Sequence, residues 1–357
     1  MKDDYLWDRS GEPDQEILKL ETALLKFRHN RPAPEFPEIT QVRRPRSWPR
    51  FLFTNRFRRL AAVGTAVLVI AVIWLTLRRP GLAPASRLGW DVTCLAGTPR
   101  VGPRAIAKAG ATGKLLAGQA VVTDSYSKAD IRIAGIGEVE VEPDTDLRLL
   151  QTGSRRKLLA LDRGTIHAAI WAPPGEFAVD VPSAVAVDLG CAYTLHVDDS
   201  GAGLLQTTLG WVGFKRGSRE SFIPAGAVCA THPGIGPGTP YFADAPAPFR
   251  AAVSKLDFET GGPEQRRAEL SIVLSQARKR DALTLWHLLS RCAVAERGYV
   301  YGRLATLVPP PAGVTRQGIL RLDQKMLDLW WNKLGFGDIT LWRTWERAWS
   351  QPEPNGK

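Results

Sequence analysis

The sequence predicts a multidomain chain: a short α-helix, one transmembrane helix, an all-β domain built as stacked β layers or a sandwich, and a C-terminal α-helical bundle. Three observations predict it. Residues 60–77 form an eighteen-residue run without a charge, residues 86–242 are short β-prone runs punctuated by Gly and Pro, and residues 263–350 carry apolar residues at helical spacing. With 357 residues, 44% hydrophobic and 23% charged, the chain has enough material for two packed cores and no sign of wholesale disorder.

Residues 1–29 read as an amphipathic helix segment. Pro13 stands near the first turn, with Asp14 and Glu16 where negative charge favours a helix N-terminus. Ile17, Leu20, Leu24 and Phe27 then recur at three- and four-residue steps, an apolar stripe on a helix too short to hold alone in water. Residues 30–59, with Pro32, Pro34, Pro37, Pro45 and Pro49, form a Pro/Arg-rich linker. Its second half carries Arg43, Arg44, Arg46, Arg50, Arg56, Arg58 and Arg59 and no acidic residue. The formal charge of +11 is therefore concentrated against the apolar run.

At a rise of about 1.5 Å per residue, residues 60–77 span roughly 27 Å, close to the hydrocarbon thickness of a bilayer. The arginine excess on the N-terminal flank, Arg56, Arg58 and Arg59 ahead of Arg78 and Arg79, orients residues 1–59 to the cytoplasm and the remainder to the far side. About sixty mostly polar residues precede the run, unlike a cleaved signal peptide. The expected location is the inner, cytoplasmic membrane as a single-pass protein, with the C-terminal domains in the periplasm. The arginine run then faces anionic headgroups and makes no direct contact with nucleic acid. Cys94, Cys191, Cys229 and Cys292 all follow the span. An oxidising compartment permits pairing, with Cys191 and Cys229 preferred because both fall in the predicted β region. Spacing does not fix connectivity, and four free buried thiols are the alternative.

In residues 86–242 the expected strands include 120–123, 131–134, 138–141, 165–170, 177–181 and 193–197. Gly118, Gly164, Gly210 and Gly226 each precede a short β run, a loose repetition suited to stacked layers. Residues 243–262 read as a linker. Helices are expected over 263–279, 281–292, 315–334 and 338–349, with Asp281, Thr315 and Asp338 as N-caps and Gly335 as a stop. Leu270, Val273, Leu274 and Ala277, then Ile319, Leu322, Met326 and Leu329, make core-facing stripes. Six tryptophans from Trp286 to Trp349 mark either a packed core or an exposed binding face.

No constellation points to an enzyme. Cys191, His196 and Asp198 share a predicted strand, where residues five apart lie on opposite faces. The five histidines have no metal-ligand spacing, and no Cys-x-x-Cys occurs, so no cofactor or metal is expected. The Gly234–Gly238 loop lacks the Gly-Lys-Ser/Thr ending of a phosphate cradle.

Motifs in series carry a resemblance. Leu115-Leu-Ala-Gly-Gln-Ala-Val-Val-Thr-Asp is followed by Val139-Glu-Val-Glu-Pro-Asp-Thr-Asp-Leu-Arg-Leu, Leu161-Asp-Arg-Gly-Thr-Ile-His-Ala, and Phe177-Ala-Val-Asp-Val-Pro-Ser through Gly190-Cys191. Thr208-Leu-Gly-Trp-Val and Ile223-Pro-Ala-Gly close the series. In order and spacing over about 110 residues this resembles the FecR domain. Two departures are visible: Cys191 stands where the family usually has threonine after glycine, and Val181 where a threonine usually precedes the proline. The resemblance implies a membrane-spanning signalling regulator of the anti-sigma type. Its cytoplasmic segment would bind an extracytoplasmic-function sigma factor and control transcription, while the β domain senses a periplasmic or outer-membrane partner of unknown identity. Contact with the sigma factor would fall on Trp7, in a lead similar to that of some relatives, and on Ile17, Leu20, Leu24 and Phe27. The zinc-binding anti-sigma subclass is excluded because residues 1–59 hold no cysteine. The C-terminal helices stand in place of the short secretin-like module of the iron-transport branch. The competing reading is a membrane-tethered periplasmic scaffold or binding protein without sigma-factor contact.

Overall fold

The computed structural model describes residues 89–349 except 134, 154 and 155, together with residues 15 and 19. Residues 60–77 lie outside that set; among the described residues no helix is long and apolar enough to cross a membrane. The architecture is mixed, a large β structure followed by seven α-helices.

The strands in chain order are β1 Trp90–Ala96, β2 Arg100–Val101, β3 Arg104–Ala105, β4 Thr112–Leu115, β5 Ala120–Val122, β6 Lys128–Ile133, β7 Gly137–Val141, β8 Asp146–Thr152 and β9 Lys157–Ile170. They continue as β10 Phe177–Val181, β11 Ala184–Asp188, β12 Ala192–Val197, β13 Gly203–Leu209, β14 Trp211–Arg216, β15 Arg219–Pro224, β16 Ala227–His232, β17 Gly236–Pro237 and β18 Tyr241–Phe242. Two sheets result. The first runs β4-β1-β6-β7-β9-β12-β13-β16, with β17 and β18 both on β16. The second runs β3-β2-β5-β8-β9-β10-β11-β14-β15. Every pairing is antiparallel except β9 with β10.

Hairpins alternate between the sheets: β6-β7 in the first, β10-β11 in the second, β12-β13 in the first, β14-β15 in the second. This alternation makes the stacked layers. The fourteen-residue β9 belongs to both sheets, its N-terminal half pairing β8 and β10 and its C-terminal half pairing β7 and β12. Gly164 marks the passage at φ +97°, where any Cβ would lie 2.4 Å from the Thr145 Cα. Only glycine fits there.

Strand burial follows from position. β12 and β13 alternate buried and exposed residues, as expected of a sheet with one wet face. In β14 and β15 the runs Trp211–Phe214 and Ser221–Pro224 are buried throughout, because helices cover the outer face of the second sheet there.

The helices are α1 Ala247–Phe258, α2 Pro263–Gln276, α3 Ala282–Arg291, α4 Val294–Leu307, α5 Arg316–Leu320, α6 Gln324–Leu334 and α7 Ile339–Trp349, with a 3-10 turn at Lys279–Asp281. α1 packs on α2, and α3 on α4. Sandwich and helices form one compact unit. Two expectations are corrected. The stretch 243–262 read as a linker contains α1, because a proline in the first helical turn gives up an N–H that has no intrahelical partner anyway. Within the expected helical region 263–350, residues 294–307 form a further helix, α4. The single helix expected over 315–334 is two. Leu322 adopts φ +59°, and Asp323 starts α6 by accepting from the Met326 N–H at 3.0 Å. That restart changes the helical phase, burying Leu327, Trp330 and Trp331 and leaving Leu329 exposed.

Thr315 caps α5 through Gly318 N, and Gly335 closes α6 in the left-handed conformation at φ +78°. Asp281 sits at the start of α3, but its carboxylate goes to the Arg278 backbone and guanidinium instead of capping the helix.

Candidate functional site

Trp7, Ile17, Leu20, Leu24, Phe27, Arg56, Arg58, Arg59, Arg78 and Arg79 lie outside the described residues. Cys191 and Cys229 are described, and the disulfide between them is not formed; all four cysteines are free. Each thiol has another partner. Cys191 opens the turn into β12 and its Sγ–H donates to Asp188 Oδ2 at 2.6 Å, while Cys229 Sγ donates to the Gly238 carbonyl at 3.1 Å. Burial pushes the Cys229 thiol up to about 12, and burial with the Asp188 charge pushes the Cys191 thiol far up. Thiols held protonated are neither nucleophiles nor metal ligands at neutral pH. Burial also lifts the Asp188 carboxyl to about 6, against the stabilising bonds from Cys191 and Gly190. Thiol titration of the unfolded, unreduced protein is expected to find four free groups; two would restore a disulfide.

His196 is exposed on β12 and contacts Thr165 Oγ1 at 2.8 Å, on the face opposite buried Cys191. Among the described residues no group of three His, Cys, Asp or Glu is placed to hold a metal ion.

Five of the six tryptophans from Trp286 onward resolve as core: Trp286, Trp330, Trp331, Trp342 and Trp345 are all buried. Trp286, Trp331 and Trp342 gather on the outer face of β14 and β15, while Trp330 packs on Tyr301 within the helices. Phe222 is the hub, with ring centroids 5.0 Å from Trp331, 5.2 Å from Trp342, 5.7 Å from Trp211 and 5.9 Å from Trp286. Gly213 supplies the floor, since a Cβ there would lie 1.9 Å from the Trp342 ring.

The same helices close the edge of the second sheet. Among the described residues β15 pairs only with β14, so its other side offers N–H and C=O groups that would template another strand. His287 Nε2 accepts from the Phe222 N–H at 3.0 Å, and Arg291 donates to the Glu220 carbonyl at 2.8 Å. His287 Nδ1 faces the Leu283 carbonyl at 2.8 Å, so the neutral Nδ1–H tautomer satisfies both contacts. Burial, reinforced by Arg291, drives the His287 pKa well below the ordinary range. Below about pH 6.5 the unfolded chain takes up a proton that the fold excludes, so this histidine's contribution is full above that pH and lost as pH falls. Melting curves from pH 7.5 to 5 should show a steeper fall for the native chain than for His287→Gln. Equal slopes would contradict the buried neutral imidazole.

The outer face of the first sheet is open. Register sets its side chains in rows. Asp91, Arg132, Glu138, Ala169, Ala192 and Leu209 form one row across six strands; Thr93, Asp130, Glu140, His167, Thr194 and Gln206 form the next. Lys128 bonds Glu142 at 2.7 Å, and His167 lies 3.3 Å from Glu142 and 2.8 Å from Thr194 Oγ1. Partial burial, then the Glu138 and Glu140 charges, raise the Asp130 carboxyl against the pull of Arg132. The middle of this face is a groove of about 640 Å³. It offers hydrogen-bonding groups of both charges. Sequence reasoning missed it, although the period-2 polar positions Lys128, Asp130 and Arg132, then Glu138, Glu140 and Glu142, carried the signal.

Comparison with known proteins is sparse. No family model and no curated protein matches the chain. Among solved structures, it is similar to a protein from Parabacteroides distasonis ATCC 8503 whose name assigns it provisionally as an anti-sigma factor. A 1.65 Å crystal structure matches at 14% identity and TM-score 0.31, covering 37% of this chain and 63% of that one. A 2.50 Å structure from the same source gives 14% and 0.30, covering 37% and 61%. The chain thus spans less than two thirds of the length of each.

Proposed function

We propose that the chain is a single-pass signalling regulator of the FecR type, with its layered β domain in the periplasm. In this reading the cytoplasmic segment binds an extracytoplasmic-function sigma factor through Trp7, Ile17, Leu20, Leu24 and Phe27. One observation supports it most. The glycines of the resembling motifs, Gly118, Gly164, Gly190, Gly210 and Gly226, all adopt positive φ, at 85°, 97°, 85°, 67° and 81°. Each stands beside a strand start or at the sheet crossing in β9, so the motif series coincides with the turns that build the layers.

The open face of the first sheet is the surface this reading gives to the periplasmic signal, since helices cover the second sheet at β14 and β15. An amphipathic stripe laid into a groove is a common mode of helix recognition, read through i, i+3, i+4 and i+7 anchors. The test is co-purification of sigma factors with the full chain extracted from membranes. Capture by the native chain, lost in Trp7→Ala/Leu20→Asp/Leu24→Asp, is the expected result. Capture by neither chain would favour a membrane-tethered scaffold, and equal capture by both would contradict the assignment of the contact to Trp7, Leu20 and Leu24.

A further inference from the structure

Between Val92 and Thr123 the chain has four basic residues, Arg100, Arg104, Lys108 and Lys114, and no acidic one. The fold gathers them at one end of the sandwich. β2 and β3 form a hairpin at the edge of the second sheet, and β4 is the outermost strand of the first. Between them opens a cleft of about 640 Å³ with Arg104, Lys108 and Lys114 in its lining. Arg100 is on the adjoining β2 strand. Lys114 pairs with Asp91 at 2.7 Å, whereas Arg100, Arg104 and Lys108 are exposed and have no ion pair among the described residues.

The rest of the lining is largely apolar, with Val101, Ile106 and Leu116 prominent. Gly113 makes room for Ile106, because a Cβ there would lie 2.9 Å from the Ile106 Cδ1. A cationic rim around an apolar floor suits an amphiphile that bears a negative charge. Location names the source. Register places Trp90 opposite Leu115, so the chain enters the domain beside this cleft, and a Cβ on Gly89 would lie 2.7 Å from Leu116. Residues 78–89, which separate the expected span from β1, reach at most about 40 Å when extended.

We propose that this cleft binds the phosphate-bearing headgroup of an anionic lipid in the bilayer that the chain spans. Bound there, it orients the domain so that the first sheet's edge at β4 faces the membrane. The proposal rests on the membrane-spanning reading. Its test uses the full chain in bilayer discs of phosphatidylcholine, with or without phosphatidylglycerol, and reads the rate at which an amine reagent modifies Lys108. Exposed Lys325, in the helical region, is the internal control.

Phosphatidylglycerol is expected to slow modification of Lys108 about fivefold and leave Lys325 unchanged. The Arg100→Ala/Arg104→Ala chain should lose most of that protection. Equal Lys108 rates in the two lipids would overturn the proposal while the span stands. Equal protection from inorganic phosphate in phosphatidylcholine discs would overturn the lipid assignment. Failure of the chain to enter discs would overturn the span and the proposal with it.

Discussion

Replacing Phe222 with alanine is expected to cost about 3–5 kcal/mol, the range for truncating a buried aromatic ring. The ring is fully buried, and four tryptophans and His287 pack around it, four of the five on helices. Its removal leaves a void that cannot collapse, because Trp331 and Trp342 are held from other sides. Trp331 Nε1 donates to the Gly337 carbonyl at 3.0 Å, and Trp342 Nε1 donates to Glu220 at 2.8 Å. Arg343 ties the same Glu220 to Asp328, and Lys215 on β14 pairs with Glu346 on α7. Denaturant unfolding should therefore show a lower midpoint with near-ultraviolet dichroism lost early. Phe222→Leu should lose markedly less. A Phe222→Ala midpoint within experimental error of the native one would remove the aromatic hub as the joint between sandwich and helices.

Gly164→Ala is the second large effect, expected at about 3 kcal/mol or more, combining a strained positive φ with overpacking. The added methyl would lie 2.3 Å from Thr145 Oγ1 and 2.4 Å from its Cα. Thr145 has no freedom to withdraw. It is fully buried, its N–H donates to Thr123 Oγ1 at 2.9 Å, and its own hydroxyl oxygen accepts from Thr165 N at 2.9 Å. Since β9 crosses between sheets at this point, the substitution should disturb both. A Gly164→Ala chain that unfolds at the native midpoint would show that the crossing does not depend on glycine.

Strands were legible in the sequence where turn chemistry and alternation agreed. Phe177–Val181 and Tyr193–Val197 are examples, each an apolar β-prone run closed by turn residues and found as β10 and within β12. Helix α1 was not legible, since Ala-Pro density reads as loop until Pro248 is known to occupy a first turn, with Phe249, Ala252, Val253 and Leu256 buried below it. The break after α5 was equally hidden, because no glycine marks the left-handed Leu322. The candidate sites divide the same way. The roles of His287 and Arg291 depend on an edge strand some seventy residues earlier, and no local pattern announces such a partner. The thiols misled because compartment chemistry permits a bond that the positions of Cys191 and Cys229 do not make. The rows on the first sheet were present as alternation but needed strand register to become a surface.

Both the regulatory reading and the lipid cleft require residues 1–59 and residues 89–349 to lie on opposite sides of one membrane. Alkaline phosphatase, active only after export, measures this when fused after residue 59, residue 88 or residue 357 of the chain in cells. The account predicts no phosphatase activity at 59 and high activity at 88 and 357. Activity at 59, or none at 357, would contradict it.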